Sequence, residues 1–566
     1  EKVAMEVAAT AAASGLRSFT FMKHVGMNVA SDSFMTTAYS GVNGGMVILS
    51  ADDPSLFSSQ NEQDTRNYGR LANVPILEPS NCQEVKDMVK YAFDLSEQFK
   101  LPVIVRTTTR VSHMRGVVEF GEVVDNSSEG ESHWKKGFFK KNPAQFVPVP
   151  AFAKDMHVAL VEKMDEINKI TNESDFNVES YFSQNKKYGV IASSSAYNYA
   201  YDVIRYNNLD IDVLKLGFSY PFPYDKVADF VKDYDEVFIV EEVDPIIEKD
   251  TLVAIGKNNL NTVVHGKLDG TFPVYHEFNS DIVANGFNKY LNFIEENTDD
   301  YSDNLLNLQE EIPSRAPVLC AGCPHRAMYY GVNKALEELG IPLKDAVFAS
   351  DIGCYTLGIN PPYNAADYLL SMGSSVGDGC GFSIATNQKV ISFIGDSTFF
   401  HSGISPLINA VHNKNNFILT VLDNRITAMT GGQPNPGIPV DGMGDDAPEI
   451  SIRKLALACG CNYVRVINPL NLDQVVKTYK EALERDEVCV IIAKAPCTLI
   501  KGKTRKPPVN YIDSNCNGCN KCVSELACPA ISKDGGKIAI DPSMCDGCGV
   551  CIQVCKYGAL EAGRGE

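Results

Sequence analysis

Positive charge is scarce in this sequence. Lysine and arginine number 51 against 71 aspartates and glutamates, which gives a formal net charge of −20. A surface of that sign repels phosphate backbones and anionic lipid, so the sequence argues against nucleic acid and membranes as partners. A dense basic run covers residues 501–509, and we interpret it as a solvated linker that precedes the tail of the chain.

Long apolar runs are missing as well, and none approaches the ~20 residues that cross a bilayer. No stretch near the start has the pattern of a secretory leader, which favours a cytoplasmic location. The sequence opens at Glu1 without a methionine, and we expect the first domain to be incomplete at its beginning. With 566 residues and a mean hydropathy of −0.12, the composition is typical of a globular chain with several domains.

Cysteine, by contrast, is abundant, with 17 residues, eight of them after residue 510. A disulfide framework would suit a small secreted domain and not a large chain without a leader, so these thiols indicate metal binding.

Two cysteine triplets with a spacing of two residues stand in this tail, and one more cysteine follows each. Three thiolates at that spacing can hold three corners of a [4Fe-4S] cubane, and the fourth ligand then comes from the other motif. The first cluster would be held by Cys516, Cys519, Cys522 and Cys555. The second cluster would be held by Cys545, Cys548, Cys551 and Cys528. Zinc is the alternative, although it usually takes two pairs of cysteines. The tail resembles the bacterial two-cluster ferredoxin, which moves electrons singly.

Strands alternate with helices along most of the remaining chain, which indicates parallel α/β sheets. Near-continuous apolar runs such as "KVISFIGD" and "NFILTVLDN" fit strands that are buried on both faces. We therefore predict an α/β protein with several doubly wound parallel-sheet domains and a small C-terminal two-cluster domain. The predicted domains cover residues 1–185, 186–305, 306–505 and 510–566.

The third domain contains a candidate diphosphate site. One strand ends at Gly395-Asp396, a helix over about 402–413 follows, and the next strand ends at Asn424. In a right-handed βαβ unit both strand ends lie at the same carboxyl edge. Asp396 and Asn424 therefore come together as hard oxygen ligands for Mg²⁺, with cofactor phosphate oxygens in other positions. The helix start beyond Ser397 favours anions. This pattern is the thiamine diphosphate motif, and an ordinary turn is the alternative.

A further loop, "LLSMGSS" at 369–375, fits the segment that supports the thiazolium ring in thiamine enzymes. Met372 and Gly373 are the cofactor-binding candidates in it. A plain glycine–serine turn is the alternative.

Several motifs together resemble the large (alpha) subunit of indolepyruvate:ferredoxin oxidoreductase, in the 2-oxoacid:ferredoxin oxidoreductase superfamily. The motifs are "MKHVGMNVASD", "SSQNEQDTR", "LCAGCPHR", "DIGCYTLG", "GDSTFFHSGI" and "LDNRITAMTGGQP". The resemblance covers essentially the whole chain. It implies that the four domains are, in order, pyrimidine-binding, transketolase C-terminal-like, diphosphate-binding and two-cluster ferredoxin domains.

The same resemblance assigns candidate residues in the first domain. Glu1 would hydrogen-bond the aminopyrimidine and favour its imino form, with Glu6 as the second choice. His24 would move a proton or contact substrate, and a capping or packing role is the alternative.

A substrate carboxylate suits a bidentate arginine, and Arg66 aligns with the substrate arginine of related enzymes. Arg106 and Arg110 are rivals for this role. Surface ion pairing is the alternative for all three.

The resemblance also implies a third cluster near the thiamine. Its candidate ligands are Cys320, Cys323, Cys354 and Cys497. The first pair precedes a strand and is expected at the amino edge of the sheet, from which it would have to reach across. Buried thiols without metal are the alternative.

The activity implied is oxidative decarboxylation of aryl 2-oxoacids, of the indolepyruvate or phenylpyruvate type, to acyl-CoA. Electrons would pass through [4Fe-4S] clusters to ferredoxin, and a smaller beta subunit would complete a hetero-oligomer such as α2β2. Another 2-oxoacid, such as phenylglyoxylate, remains an alternative substrate. A subunit that only transfers electrons is disfavoured by the intact Asp396 and Asn424, and a non-oxidative decarboxylase would need no cysteine tail.

Overall fold

The computed structural model describes residues 1–121, 136–294, 317–500, 502, 504–534 and 537–563. The chain divides into two compact units, residues 1–299 and residues 300–566. The domain boundary predicted near residue 305 lies outside the described residues. Across the described ranges, no helix combines the length and apolarity needed to span a membrane.

Unit 1 alternates strands with helices, as predicted. Its strands are β1 (Ser18–Lys23), β2 (Met46–Ala51), β3 (Ile76–Leu77), β4 (Val103–Thr107), β5 (Asn177–Ser180), β6 (Tyr188–Ala192), β7 (Ile211–Leu216), β8 (Phe218–Tyr220), β9 (Glu236–Val240) and β10 (Val263–His265). Its helices are α1 (Lys2–Ala13), α2 (His24–Ser40), α3 (Arg66–Ala72), α4 (Cys82–Phe99), α5 (Thr109–His113), α6 (Pro143–Phe146), α7 (Pro150–Glu173), α8 (Ser194–Tyr206), α9 (Tyr224–Val231), α10 (Ile246–Lys257) and α11 (Ser280–Leu291).

The helix α4 shows how local sequence sets these elements. The Asn81 side chain accepts a hydrogen bond from the Glu84 N–H at 2.9 Å, which caps the helix start. Met88, Ala92 and Leu95 recur at helical spacing and are buried, so that one face packs on the sheet. The helix ends at Phe99, and the next residue, Lys100, adopts a left-handed conformation.

Unit 1 contains two five-stranded sheets, in the orders β1-β2-β4-β3-β8 and β10-β9-β6-β7-β5. The two sheets exchange edge strands, because β8 pairs antiparallel with β3 and β5 pairs antiparallel with β7. The predicted boundary at residue 185 therefore does not separate them cleanly, since β5 precedes it and joins the second sheet. The other pairings are parallel.

Unit 2 contains the third α/β region and the cysteine-rich tail. Its strands are β11 (Ala346–Ala349), β12 (Lys389–Gly395), β13 (Ile418–Asp423), β14 (Tyr463–Ile467), β15 (Cys489–Lys494), β16 (Asn510–Tyr511), β17 (Ile531–Asp534), β18 (Lys537–Ile540) and β19 (Leu560–Glu561). Its helices are α12 (Pro324–Glu338), α13 (Ser374–Ala385), α14 (Asp396–Thr398), α15 (Ile404–His412), α16 (Ile452–Ala458), α17 (Leu472–Leu483), α18 (Lys521–Ser524) and α19 (Val550–Val554).

The main sheet of unit 2 is parallel throughout, with the order β11-β12-β13-β15-β14. Separate apolar clusters cover its two faces, which explains the near-continuous apolar strands. The helix predicted over about 402–413 is longer and interrupted, because a π-turn at Phe399–Gly403 joins α14 to α15. π-turns of this kind often occur at functional sites.

The tail folds as two small antiparallel pairs, β16 with β19 and β17 with β18. The second pair lies between the two cysteine motifs in the sequence. Its apolar core contains several cysteines as well as leucine, isoleucine and valine.

Candidate functional site

Two carboxylates and one amide meet at the carboxyl edge of the unit 2 sheet. Asp396 follows β12, Asp423 ends β13, and Asn424 comes directly after it. Because β12 and β13 are parallel neighbours, the two strand ends coincide. The Asp396 carboxylate accepts hydrogen bonds from the N–H of Ser397 at 2.8 Å and from the N–H of Arg425 at 2.9 Å. These bonds fix the carboxylate between the two strand ends.

The two carboxylates concentrate negative charge in a buried place. Asp396 is 3 % exposed and Asp423 is 4 % exposed. Burial and the neighbouring Asp423 raise the pKa of Asp396 to about 7, and burial also raises the pKa of Asp423. One Asp423 oxygen, Oδ1, has no hydrogen-bond partner, and the Arg425 guanidinium lies 3.9 Å from the other. A divalent cation would satisfy the orphaned oxygen and remove the repulsion, so these residues fit Mg²⁺.

The amide of Asn424 is held from two sides. Its Oδ1 accepts a hydrogen bond from the Ile426 N–H at 3.3 Å, and its Nδ2 lies 3.5 Å from Nε2 of His325. Burial lowers the pKa of His325 to about 4, so that the ring is neutral at pH 7 and can accept from the amide. The next residue, Arg425, has a φ of +66°, and such backbone strain concentrates at functional sites.

The predicted thiazolium loop is fixed by a carboxylate to which the sequence analysis gave no role. Asp351 lies two residues beyond β11 and accepts hydrogen bonds from the Gly373 N–H at 2.8 and 3.0 Å. The Ser375 hydroxyl donates to the same carboxylate at 3.1 Å. Burial raises the pKa of Asp351 to about 6. Asp351 could have been predicted from the sequence, because it follows a buried strand just as Asp396 does.

Only glycine fits at position 373. Gly373 has a φ of +91°, and a Cβ there would lie 2.3 Å from the Ser402 Cβ. Met372, beside it, is 37 % exposed. The loop therefore approaches the π-turn closely and leaves the methionine accessible.

Four thiols outside the tail gather at the same carboxyl edge. Burial raises the pKa of Cys354, and the nearby thiols of Cys497 and Cys320 raise it further. The N–H of Cys497 donates to the Asn424 carbonyl at 3.0 Å, which ties this thiol to the carboxylate site. Cys323 is close to Cys320 in the loop that precedes α12.

The expectation that Cys320 and Cys323 lie at the amino edge was wrong. The helix α12 stands between this pair and β11. A helix that leads into a strand of such a sheet runs antiparallel to it, and so begins at the carboxyl edge. The thiols therefore have no need to reach across the sheet.

Two cavities in the tail bring together cysteines from both motifs. The first is lined by Cys516, Cys519, Cys522 and Cys555. The second is lined by Cys528, Cys545, Cys548 and Cys551, and also by Cys323. Within the described residues, no three thiol, imidazole or carboxylate groups are spaced to hold a single metal ion. A cubane binds each thiolate at a different iron, so its ligands stand farther apart than those of one ion.

In unit 1, Glu1 lies against the start of α2. A Cβ on Gly26 would lie 2.7 Å from the Glu1 Cγ and 3.2 Å from its Oε1, so the glycine makes room for this carboxylate. Glu6 is half-buried, pairs with Lys2 and accepts a hydrogen bond from the Ser33 hydroxyl at 3.2 Å. Glu1 is the less engaged of the two candidate carboxylates.

His24 is fully buried at the first position of α2. Its Nε2 lies 3.0 Å from the Asn61 carbonyl, which must be an acceptor, so Nε2 carries the proton. Its Nδ1 has no hydrogen-bond partner. The histidine could accept a proton at Nδ1, and it contacts no bulk solvent.

The three candidate arginines occupy different environments. Arg66 is 2 % exposed and pairs with Asp64 at 2.6 Å and Glu241 at 2.7 Å. All three of its nitrogens donate within unit 1. Arg110 is exposed and pairs with Glu277. The geometry of Arg66 is that of a structural ion pair and leaves it no accessible face for a substrate.

Arg106 is also buried, at 1 % exposure. It pairs with Asp52 at 2.6 Å and with Glu78 at 2.7 Å, and its Nη2 has no hydrogen-bond partner. Among the three arginines, it alone keeps a buried, unused donor nitrogen in the described structure.

Three family models match the chain. "Pyruvate flavodoxin/ferredoxin oxidoreductase, thiamine diP-bdg" matches residues 1–183, and "Thiamine pyrophosphate enzyme, C-terminal TPP binding domain" matches residues 351–493. "4Fe-4S dicluster domain" matches residues 508–556.

Curated relatives match over nearly the full length. The indolepyruvate oxidoreductase subunit IorA of Methanothermobacter marburgensis is 54 % identical over 99 % of this chain and 88 % of the relative. The subunit of the same name from Pyrococcus horikoshii is 41 % identical over 100 % of this chain and 89 % of the relative. This chain belongs to the indolepyruvate oxidoreductase subunit IorA family.

Membership in the IorA family confirms three predictions. These are the resemblance itself, the α/β class with thiamine-binding folds and a ferredoxin-like tail, and a thiamine diphosphate-dependent oxidoreductase of the 2-oxoacid:ferredoxin class. A solved 2-oxoglutarate:ferredoxin oxidoreductase from Magnetococcus marinus is 21 % identical over 33 % of this chain and 67 % of its own, with a TM-score of 0.30.

Proposed function

We propose that this chain is the catalytic subunit for oxidative decarboxylation of aryl 2-oxoacids, of the indolepyruvate or phenylpyruvate type, to acyl-CoA. The observation that carries the proposal is that unit 2 contains both a buried carboxylate pair, with the Arg425 guanidinium 3.9 Å away, and two cavities with four tail thiols each. The relatives named indolepyruvate oxidoreductase support the choice of substrate.

In this proposal Asp396 and Asn424 hold Mg²⁺, and Gly395 and Ser397 form the turn beside the cofactor diphosphate. Met372 and Gly373 support the thiazolium ring, and Asp351 positions that loop through the Gly373 N–H. Bound thiamine diphosphate supplies the electron sink for loss of carbon dioxide.

The groups proposed for the pyrimidine side of the cofactor belong to unit 1. Glu1 is the proposed partner of the aminopyrimidine, because its carboxylate is free of ion pairs in the described structure and lies over Gly26. His24 is the proposed proton acceptor, through its unused Nδ1. For the substrate carboxylate, the buried pairing of Arg66 shifts the proposal to Arg106, whose Nη2 is unused.

We assign one [4Fe-4S] cluster to each of the three sets of four cysteines. One cluster is held by Cys516, Cys519, Cys522 and Cys555. Another is held by Cys528, Cys545, Cys548 and Cys551. A third is held by Cys320, Cys323, Cys354 and Cys497. Electrons from the two-electron oxidation leave singly through them to ferredoxin, and a smaller beta subunit completes the hetero-oligomer, such as α2β2.

The experiment uses the chain purified anaerobically with its beta subunit. Reduction of ferredoxin is followed with indolepyruvate, phenylpyruvate, phenylglyoxylate, pyruvate and 2-oxoglutarate, each with and without CoA. The proposal predicts the highest kcat/KM for the first two and acyl-CoA as a product. A preference for phenylglyoxylate would replace the substrate, and no turnover with any 2-oxoacid would contradict catalysis by this chain.

Two further measurements test the clusters. Iron should amount to about twelve per chain with three cubanes and about eight if the third is missing. Cys555→Ala should remove the EPR signal of the cluster that contains Cys516, Cys519 and Cys522. If Cys555→Ala instead removes only the signal of the cluster that contains Cys545, which Cys545→Ala also removes, the crossed ligation is contradicted.

A further inference from the structure

Arg326 is a buried cation with neutral partners. It lies in the first turn of α12 and is 5 % exposed. Its Nη1 donates to the Tyr363 hydroxyl at 2.8 Å, to the Leu526 carbonyl at 3.1 Å and to the Ala527 carbonyl, and its Nη2 donates to the Leu319 carbonyl. Every one of these acceptors is uncharged.

The charge of this guanidinium is not balanced by the protein. Over the described part of the chain, no carboxylate lies within 4.0 Å of Arg326, and its Nε has no hydrogen-bond partner. Asp546 lines the same cavity wall, where its carboxylate faces Arg505 at 4.0 Å. A buried charge without a counter-charge costs several kcal/mol, so the structure lacks a partner that Arg326 needs.

The missing negative charge has an obvious place. Arg326 lines the cavity that is also lined by Cys528, Cys545, Cys548 and Cys551. A cubane with four thiolates is an anion, and it gains one more negative charge when it accepts an electron. The fold therefore directs a desolvated positive charge at the site where that anion would form.

The same side chain also positions a ligand. Ala527, whose carbonyl accepts from Arg326, comes directly before Cys528. The Tyr363 hydroxyl donates to the neighbouring Leu526 carbonyl, which closes a clamp around this loop. Arg326 thereby joins the helix after Cys323 to the loop that carries Cys528, the cysteine of the first motif that crosses to the second cluster.

We infer that Arg326 is the counter-ion and positioning residue of the cluster in this cavity, and that it raises the reduction potential of that cluster. The inference rests on the ligand set proposed above. Because reduction makes the cluster more negative, a fixed positive charge stabilises the reduced form more than the oxidised form. The step is the gain of one electron from a reduced donor cluster of the same chain, with no bond made or broken. The cluster would thus be set to take electrons from the thiamine side.

The test is an EPR redox titration of the full chain with its beta subunit, comparing wild type with Arg326→Gln. The signal is assigned by its loss in Cys545→Ala. We expect the ratio of reduced to oxidised cluster at a fixed potential to fall at least about tenfold in R326Q, which is about 59 mV for one electron. An R326Q protein that contains the cluster at the wild-type potential would overturn the inference.

Two control variants separate the effect of the Arg326 charge on the potential from the effect of lost hydrogen bonds that hold the tail. Arg326→Lys keeps the charge and loses part of the clamp, so its potential should stay near that of wild type. Gln553→Ala removes hydrogen bonds of 2.8 and 2.9 Å to residues 470 and 472 without changing charge, and should not move the potential. A shift in either control as large as that in R326Q would contradict the role of charge.

If the cluster is lost in R326Q, the R326K variant decides whether the site needs the positive charge or the hydrogen-bond geometry. If the charge is what the site needs, R326K restores both the iron content and the potential. A cluster that is absent from R326K as well would show that the hydrogen-bond geometry decides cluster assembly, and would overturn the counter-ion role. Absence of the signal from wild type would instead refute the proposed ligand set, which keeps the two failures distinct.

Discussion

Two groups of buried charge, one in each unit, differ in how they are balanced. In unit 1, Arg66 and Arg106 lie among carboxylates and form five ion pairs of 3.6 Å or less with them. In unit 2, Asp396 and Asp423 share one strand edge, and the guanidinium of Arg425 stands 3.9 Å away. Every carboxylate of the first group pairs with an arginine, whereas we propose that a cation from outside completes the second group.

The difference shows in one carboxyl of each group, although burial also raises the pKa of Asp52 and of Glu241 in unit 1 despite their arginine partners. In unit 1, burial raises and the two arginines lower the pKa of Asp64, which ends well below its ordinary value. In unit 2, burial and Asp423 act together to raise the pKa of Asp396 to about 7. Burial alone therefore does not mark a site, and the absence of compensation distinguishes a binding site from a structural ion pair.

The largest expected effect comes from breaking the balanced group. Arg66→Met should lower the free energy of unfolding by about 3–5 kcal/mol, because it leaves the buried Glu241 unpaired and leaves Asp64 with only Arg106, 3.6 Å away. Urea unfolding measures it, with Arg110→Met as the matched control, whose exposed pair should contribute less than about 1 kcal/mol. If R66M instead keeps its stability and only raises KM for the 2-oxoacid, Arg66 is the substrate arginine after all.

The carboxylate pair of Asp396 and Asp423, here called the unbalanced group, predicts that the stability of the cofactor-free protein falls as the pH rises. The folded pKa of Asp396 is raised, so the folded protein holds this proton more tightly than the unfolded chain does. The stability from that proton is present below about pH 4 and is lost as the pH rises through about 7. Between pH 5 and pH 8, the free energy of unfolding should therefore fall by about 3 kcal/mol. Thermal unfolding between pH 5 and 8 checks it, and Asp396→Asn, or saturating Mg²⁺ and thiamine diphosphate, should remove the slope.

A smaller effect tests the loop that borders the unbalanced group. Gly373→Ala should destabilise the loop by about 1–2 kcal/mol, from the positive φ and the contact with Ser402, and weaken thiamine diphosphate binding roughly tenfold. Gly377→Ala, in the following helix, meets no atom within 4 Å and should stabilise the protein slightly. Equal cofactor affinity in G373A and wild type would separate this loop from the site.

Strand-end reasoning from the sequence located much of unit 2. Asp396 and Asn424 were placed together because parallel strands end at one edge, and the structure brings them together there. The cysteine spacing likewise led to the crossed sets of thiols that line the two tail cavities. Both arguments depend on short, local patterns whose geometry is nearly independent of the rest of the fold.

The same reasoning did not foresee an environment that a distant partner decides. Arg66 follows a strand as a substrate arginine would, but its partner Glu241 lies 175 positions away in the sequence. The edge of Cys320 and Cys323 was misjudged because α12 was not recognised between them and β11. The exchange of β5 and β8 between the sheets of unit 1 has no local signal at all, since it depends on tertiary pairing.

The account depends most on the claim that the unit 2 edge is a cation and diphosphate site. Isothermal titration of thiamine diphosphate into the anaerobic full chain, with and without Mg²⁺, tests it directly. Asp378→Asn is the control, because that carboxylate also has a raised pKa and accepts from the Ser374 hydroxyl, away from the strand ends. We predict Mg²⁺-dependent binding in wild type and D378N, and affinity at least about a hundredfold weaker in Asp396→Ala, or about 2.7 kcal/mol, with unchanged iron content. Wild-type affinity in D396A would contradict the assignment of this site.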